Sequence, residues 1–324
     1  MAKRRLSLQQ RRRMAVSRGR VLDHPGTSDP EHLETRRDGL VTARYGREAD
    51  VVDPDHPEKP GQRCNLRAHV EPVVGDRVLW EVSGGQGVIA AIAPRRSVLR
   101  RRDGSQVRIL AANIDQVVVV VAAEPVPHAN LVDRFLVAAE LEGMSALILA
   151  NKCDLDDEAR RTLDTICVSR SALGYPLVRV SARTGIGIDE LRGHLRAKVS
   201  IFCGQSGVGK SSLINRLFPD ADAAVGALSK AAAKGRHTTT TARFYPVPGG
   251  AVIDSPGIRE FGVECPDPQC LIAGFVELAP LAAQCRFRDC THRQDPGCAI
   301  VAAIRRGEVD AHRLASFHQL QASG

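Results

Sequence analysis

Residues 204–212 read GQSGVGKSS, and no other stretch of this 324-residue chain constrains its fold as strongly. The pattern Gly-x4-Gly-Lys-Ser calls for a loop that curls until successive backbone N–H groups point inward, a geometry that suits a bound phosphate. Gly204, Gln205, Ser206, Gly207, Val208 and Gly209 form the curl. Lys210 is spaced to reach two neighbouring phosphates and Ser211 to hold Mg²⁺, with Ser212 beside it. The apolar run KVSIFC (198–203) predicts a strand before the loop, and KSSLINRLF (210–218) predicts a helix after it, whose positive end adds to the anion site. A strand, a glycine loop and a helix in this order belong to an α/β sheet, so the chain must supply neighbours for that strand.

It supplies them on both sides. QVVVVVAA (116–123) is continuously apolar, as in a strand buried on both faces. NLVDRFLVAAELEG (130–143) has helical spacing and stops at Gly143. SALILA (145–150), PLVRVS (176–181) and segments near 243–247 and 251–254 predict further strands; DDEARRTLDTICVSRSALG (156–174) and GIDELRGHL (187–195) predict helices. The alternation predicts a mainly parallel sheet with helices on both faces.

Three of the strands run into polar boxes. NKCD (151–154) follows SALILA: Asp154 can accept hydrogen bonds from the N1–H and 2-amino group of guanine, donors that adenine lacks, while Asn151, Lys152 and Cys153 complete the loop. SARTG (181–185) follows the next strand, where Ser181 begins the loop and the Ala182 N–H can meet the guanine oxygen. DSPG (254–257) follows AVID; Asp254 is placed for Mg²⁺ and the Gly257 N–H for a γ-phosphate. Between phosphate loop and DSPG lies GRHTTTT (235–241), in which Thr239, with Thr240 as the next choice, is the expected Mg²⁺ ligand. Ile258 follows DSPG and cannot orient a water as a Gln would, which leaves His237 as the nearest candidate in sequence, against the alternative of a loop His with no role. The boxes stand in the order NKCD, SAR, phosphate loop, Thr-rich loop, DSPG. The usual order begins at the phosphate loop, so the domain reads as a circularly permuted GTPase. Such a rearrangement leaves core contacts intact because the termini of compact domains lie close together.

Ahead of the sheet the texture is different. Within VVGDRVLWEV, Val74, Val78, Trp80 and Val82 share one parity, which predicts a half-buried strand; Gly75-Asp76 and SGGQG (83–87) read as turns. Short strands over about sixty residues predict an OB-type barrel. The chain carries a net charge of +8, and Lys3, Arg4, Arg5, Arg11, Arg12, Arg13, Arg18 and Arg20 stand in an acid-free opening stretch. That tail suits a polyanion such as RNA or stays solvated. No run resembles a membrane helix or a secretory signal, so a cytoplasmic protein is expected.

Of the nine Cys, Cys64, Cys153, Cys167 and Cys203 read as buried or free thiols. Cys285, Cys290, His292 and Cys298 form C-x4-C-x-H-x5-C, a closed tetrahedral set for one structural Zn²⁺. Arg286, Arg288, Arg293, Arg305 and Arg306 surround it.

Together these motifs closely resemble the RsgA/YjeQ family of bacterial small-subunit-dependent GTPases. The resemblance rests on LSLQQRRR, PVVGDRV, the permuted boxes, GRHTTT, DSPGIREFG and CRFRDCTHRQDPGCAI, and covers nearly the whole chain. It implies an N-terminal OB domain, a permuted GTPase and a C-terminal zinc domain. It also implies GTP hydrolysis late in small-subunit maturation, rRNA contact, and a catalytic role for His237. The segment LDHPGTSDPEHLETRRDG (22–39) has no counterpart in that pattern.

The expected organisation is a flexible basic extension (1–37), an OB-type barrel (38–97), the permuted P-loop GTPase (98–265) and a mostly helical zinc-binding domain (266–324). The expected partners are the small ribosomal subunit with its rRNA and GTP or GDP, with no membrane, and the chain is expected as a monomer. Two other readings compete: a zinc-dependent RNA-binding module with a vestigial nucleotide site, and a GTPase of protein or metal trafficking. Intact Lys210, Ser211, Asp254 and Asp154 argue against the former, and the barrel with its basic tail against the latter.

Overall fold

The computed structural model describes residues 36–57, 59–83, 85–103, 106–219, 243–254 and 268–323. The basic segment and His237, Thr239, Thr240, Gly257 and Ile258 lie outside these residues. The chain divides between Arg95 and Arg96 into two compact units.

In the first unit, β1 (Arg37–Tyr45), β2 (Glu48–Val52), β3 (Gln62–Leu66), β4 (Arg77–Ser83) and β5 (Gln86–Ile92) close a barrel in the order β1-β2-β3-β5-β4. Strand β4 returns to β1, and β3 and β5 are the parallel pair. This is the OB-type barrel that the short strands predict. Val41, Ala49, Val51, Cys64, Val78 and Ile89 fill it. The one-parity reading of β4 holds at Val78 but fails at Val82, which is 46% exposed. The ladder with β5 is irregular between Leu79 and Trp80, and beyond it the inward side of β4 changes. Glu81 is buried there instead, ion-paired to Arg67 and, at 3.5 Å, to Arg36.

The second unit opens with a hairpin, β6 (Val98–Asp103) and β7 (Gln106–Ala112). No strand is predicted from the sequence between the barrel and residue 116; Leu99, Ala111 and Ala112 are buried strand residues there. The six-stranded sheet follows, in the order β10-β9-β8-β11-β13-β12. Its members are β8 (Gln116–Val121), β9 (Ser145–Ala150), β10 (Leu177–Arg179), β11 (Val199–Cys203), β12 (Arg243–Val247) and β13 (Gly250–Asp254). All pairs are parallel except β12 with β13. Every residue of β8 is buried, as a central strand covered on both faces requires.

Among the described residues, four helices connect these strands: α1 (Ala129–Leu141), α2 (Asp157–Ser171), α3 (Ile188–Leu195) and α4 (Lys210–Leu217). Val118 and Val120 of β8 share a core with Leu191 of α3 and Leu213 of α4. Val119 and Val121 line a small cavity together with Leu131 and Phe135 of α1. The Asp156 carboxylate caps α2 by accepting from the Ala159 N–H at 2.9 Å.

The helical end comprises α5 (Pro268–Ala273), α6 (Ala279–Ala282), α7 (Ala299–Arg305) and α8 (Ala311–Ser323). Its core includes Val137 of α1 alongside Leu271, Phe275, Ile300 and Phe317. Beside that apolar contact lies a charged one. Asp133 of α1 is fully buried and accepts from Arg170 of α2 (3.0 and 2.9 Å), Arg313 of α8 (2.6 Å) and the Ser316 hydroxyl (2.6 Å). The remaining face of Arg313 donates to Glu277 at 2.6 and 3.1 Å. Buried charges persist only when paired and hydrogen-bonded, and each member here is. Among the described residues no helix is long and apolar enough to cross a membrane.

Candidate functional site

From β8 the chain moves outward to β9 and β10, then returns to β11 on the other side of β8. Neighbours β8 and β11 thus send their connections in opposite directions, and open α/β sheets bind ligands in the crevice beyond the strand ends at such a point. The sequence boxes leave the sheet there: NKCD after β9, SAR after β10, the phosphate loop after β11 and Asp254 at the end of β13.

The loop from Gly204 to Lys210 has the backbone that glycine allows. Gly204 has φ 135° and a Cβ on it would collide with the Val120 carbonyl of β8; Gly209 has φ 92° and a Cβ there would collide with the Asn151 amide. Val208 is buried, Gln205 half-buried, and Ser206 and Gly207 exposed. The Lys210 ammonium is folded back over the loop, donating to Gly204 O at 2.7 Å and Gln205 O at 2.6 Å. Ser211 and Ser212 begin α4 and are exposed.

Asn151 joins three boxes. It is 1% exposed, its Nδ2 donates to Val208 O at 2.8 Å, and its Oδ1 accepts from the Ala182 N–H at 3.3 Å. Lys152 has φ 62°, and its ammonium donates to Glu124 O at 2.7 Å in the β8–α1 loop, a contact that the sequence does not reveal. The Cys153 N–H donates to Val180 O at 3.1 Å, and burial raises its thiol pKa. The Asp154 Oδ2 accepts from Arg183 Nε at 2.7 Å, and Arg183 Nη2 stands 2.6 Å from the same oxygen in the ion pair. The Ser181 hydroxyl, and next to it Arg183, holds the Asp154 carboxyl below the usual carboxylate range. Arg183 is missing from the sequence-based set; its only signal is its place inside SARTG. Asp254 ends β13, the parallel neighbour of β11, on the same side of the sheet as the phosphate loop. The arrangement has the parts to cradle phosphates at one end and to read a base edge at the other.

The second cluster is at the helical end. One ligand atom from each of Cys285, Cys290, His292 and Cys298 lies within 4.8 Å of the others. Cys285 Sγ and Cys298 Sγ each stand 3.6 Å from His292 Nδ1 and 3.9 Å from one another. His292 adopts φ 59° and Gly297 φ 79°, the turns that fold this short segment on itself. Burial, and then the neighbouring thiols, push the Cys290 thiol up to about 12. The set can hold a metal with four protein ligands.

A family model described as RsgA GTPase matches residues 92–264. The small ribosomal subunit biogenesis GTPase RsgA of Azotobacter vinelandii is 49% identical over 298 residues, covering 90% of this chain and 87% of that protein. The crystal structure of YjeQ from Thermotoga maritima is similar at 31% identity and a TM-score of 0.72, covering 89% of this chain and 98% of that one. That of YloQ, described as a circularly permuted GTPase, shares the fold at 24% identity and a TM-score of 0.69, covering 92% of this chain and 97% of that one. With its permuted strand order, its boxes at one sheet edge and these relatives, the chain belongs to the RsgA GTPase family.

Proposed function

We propose that this chain binds the small ribosomal subunit and hydrolyses GTP during late subunit maturation, as a cytoplasmic monomer that contacts rRNA. The observation that carries the reading is Asn151, whose side chain ties the phosphate loop to both base-side boxes at one crevice. A vestigial site has no reason to keep Lys210, Asp154 and that brace together.

In this reading Lys210 leaves the loop carbonyls for the β and γ phosphates, and the loop N–H groups from Gly204 to Ser212 hold the rest. Ser211, Asp254 and Thr239 are the candidate ligands of Mg²⁺, which neutralises charge on the phosphates when bound. Asp154 selects guanine, with Ser181 and Ala182 beside it, while Asn151, Lys152 and Cys153 brace the loop. The Gly257 N–H meets the γ-phosphate, and His237 positions water where Ile258 cannot.

The metal of the Cys285–Cys290–His292–Cys298 set is a structural Zn²⁺. At ordinary bond lengths a tetrahedral zinc ion separates two thiolates by about 3.8 Å and a thiolate from an imidazole nitrogen by about 3.5 Å. The observed 3.9 and 3.6 Å among Cys285, His292 and Cys298 fit this closely, and Cys290 brings the whole set to within 4.8 Å. The proposed organisation is extension 1–37, barrel 38–97, GTPase 98–265 and zinc region 266–324.

The test is GTP turnover by the full chain, alone and with purified small subunits, in wild type and His237→Ala. Strong stimulation that the variant loses while still binding GDP agrees with the proposal. No stimulation favours an RNA-binding module instead, and an unchanged variant moves the water-positioning role elsewhere.

A further inference from the structure

We propose that Arg183 is a positioning residue for guanine recognition, its guanidinium holding the Asp154 carboxylate in the orientation that reads the base. The inference rests on the assignment of Asp154 above and deepens it. Asp154 and Arg183 come from different strand ends: Asp154 follows β9 and Arg183 follows β10, its neighbour in the sheet. Arg183 Nε and Nη2 converge on one oxygen, Oδ2, at 2.7 and 2.6 Å.

The side chain of Arg183 is 77% exposed. Exposed ion pairs add little to folding stability, so this contact is not explained as a brace of the fold. Its consequence lies in the carboxylate. The terminal torsion of an Asp side chain is broad, and a solitary carboxylate samples many orientations. Here the Arg183 Nε–H donates to Oδ2 and the rest of its guanidinium stands against the same oxygen, which fixes that end of the carboxylate. A carboxylate offers about four acceptor sites, so a guanidinium that occupies Oδ2 leaves the two sites of Oδ1 for the two donors of guanine.

Arg183 is itself held in place by a closed turn. The Thr184 N–H donates to Ser181 Oγ at 3.1 Å, the Gly185 N–H to Ser181 O at 2.8 Å and the Ser181 N–H to Ile186 O at 3.0 Å. The guanidinium thus reaches Asp154 from a backbone that is set independently of the base. The polar groups of SARTG, Ser181 first and Arg183 after it, also keep the carboxyl ionised further into the acid range.

Inosine diphosphate separates positioning from general support of the loop, because it keeps N1–H but lacks the 2-amino donor. A well-oriented carboxylate distinguishes the two bases more sharply than a rotating one. The experiment measures the affinities of the full chain for GDP and IDP in wild type, Arg183→Ala, Arg183→Lys and Asp154→Asn. Arg183→Ala is expected to weaken GDP by about two- to fivefold, the range of an exposed ion pair, and IDP by less. The GDP/IDP ratio then falls, and Arg183→Lys recovers part of it. An unchanged ratio, an equal loss for both nucleotides, or tighter GDP binding by Arg183→Ala overturns the proposal. If Asp154→Asn leaves the ratio intact, the base-reading role of Asp154 has failed, and the proposal with it.

Discussion

The nucleotide crevice and the Cys/His cluster are built in opposite ways. The crevice collects Asn151, Ala182 and Val208 from three strand ends, so it exists only when the sheet is formed. The metal set lies between Cys285 and Cys298, and two left-handed turns bring it together. A distributed site depends on the whole core and tolerates any chain order that preserves the sheet, which is why permutation leaves it intact. A local site depends on its own ligands and on the ion they hold. The two regions are nevertheless joined, because Asp133 and Val137 sit on α1 while Arg313 and Phe317 sit on α8.

The largest effect expected from this contrast is at the metal. Structural zinc contributes about 10–16 kcal/mol of apparent binding energy in small domains. Metal analysis is expected to find one zinc per wild-type chain and none in Cys290→Ser, whose residues 268–323 are expected to open to protease. GDP binding should survive, because no nucleotide box lies in that segment. Loss of GDP binding together with the metal would break the contrast and make the two sites one cooperative unit.

A smaller effect is expected at the joint. Asp133→Ala leaves Arg170 and Arg313 buried without their shared carboxylate, a change worth about 3–5 kcal/mol. For a unit of this size that lowers Tm by roughly 10 °C. Protease exposure of α8 in the same variant would place the weakness at the α1–α8 contact. A shift under about 2 °C would mean that water relieves the buried arginines, and that the apolar contact alone joins the two regions.

What could be read in the sequence follows the same contrast. The strands of the sheet were legible because burial on both faces leaves continuous apolar runs, and the boxes because each follows such a run. The metal set was legible because all its members are close in sequence. Other features leave weaker traces. The Asp103-Gly104 pair is a hairpin signal that the sequence analysis, which assigns no strands there, passed over. Parity failed at Val82 because ladder irregularity between β4 and β5 has no periodic mark. Asp133 stands in the apolar stripe of α1, a position that calls for a partner, but Arg170 and Arg313 are too distant in sequence to be named. Arg183 was hidden for a similar reason: its role lies in the contact across two strand ends.

The central claim is that the crevice binds guanine nucleotides through Asp154, and the ratio of XDP to GDP affinity in Asp154→Asn tests it most directly. An asparagine amide donates to the 2-carbonyl of xanthine and no longer accepts the full set of guanine donors. GDP is expected to weaken by roughly 10- to 100-fold, the cost of lost bonds to a charged acceptor, while XDP tightens until the preference reverses. A variant that binds GDP as well as wild type, with XDP no tighter, would contradict the account.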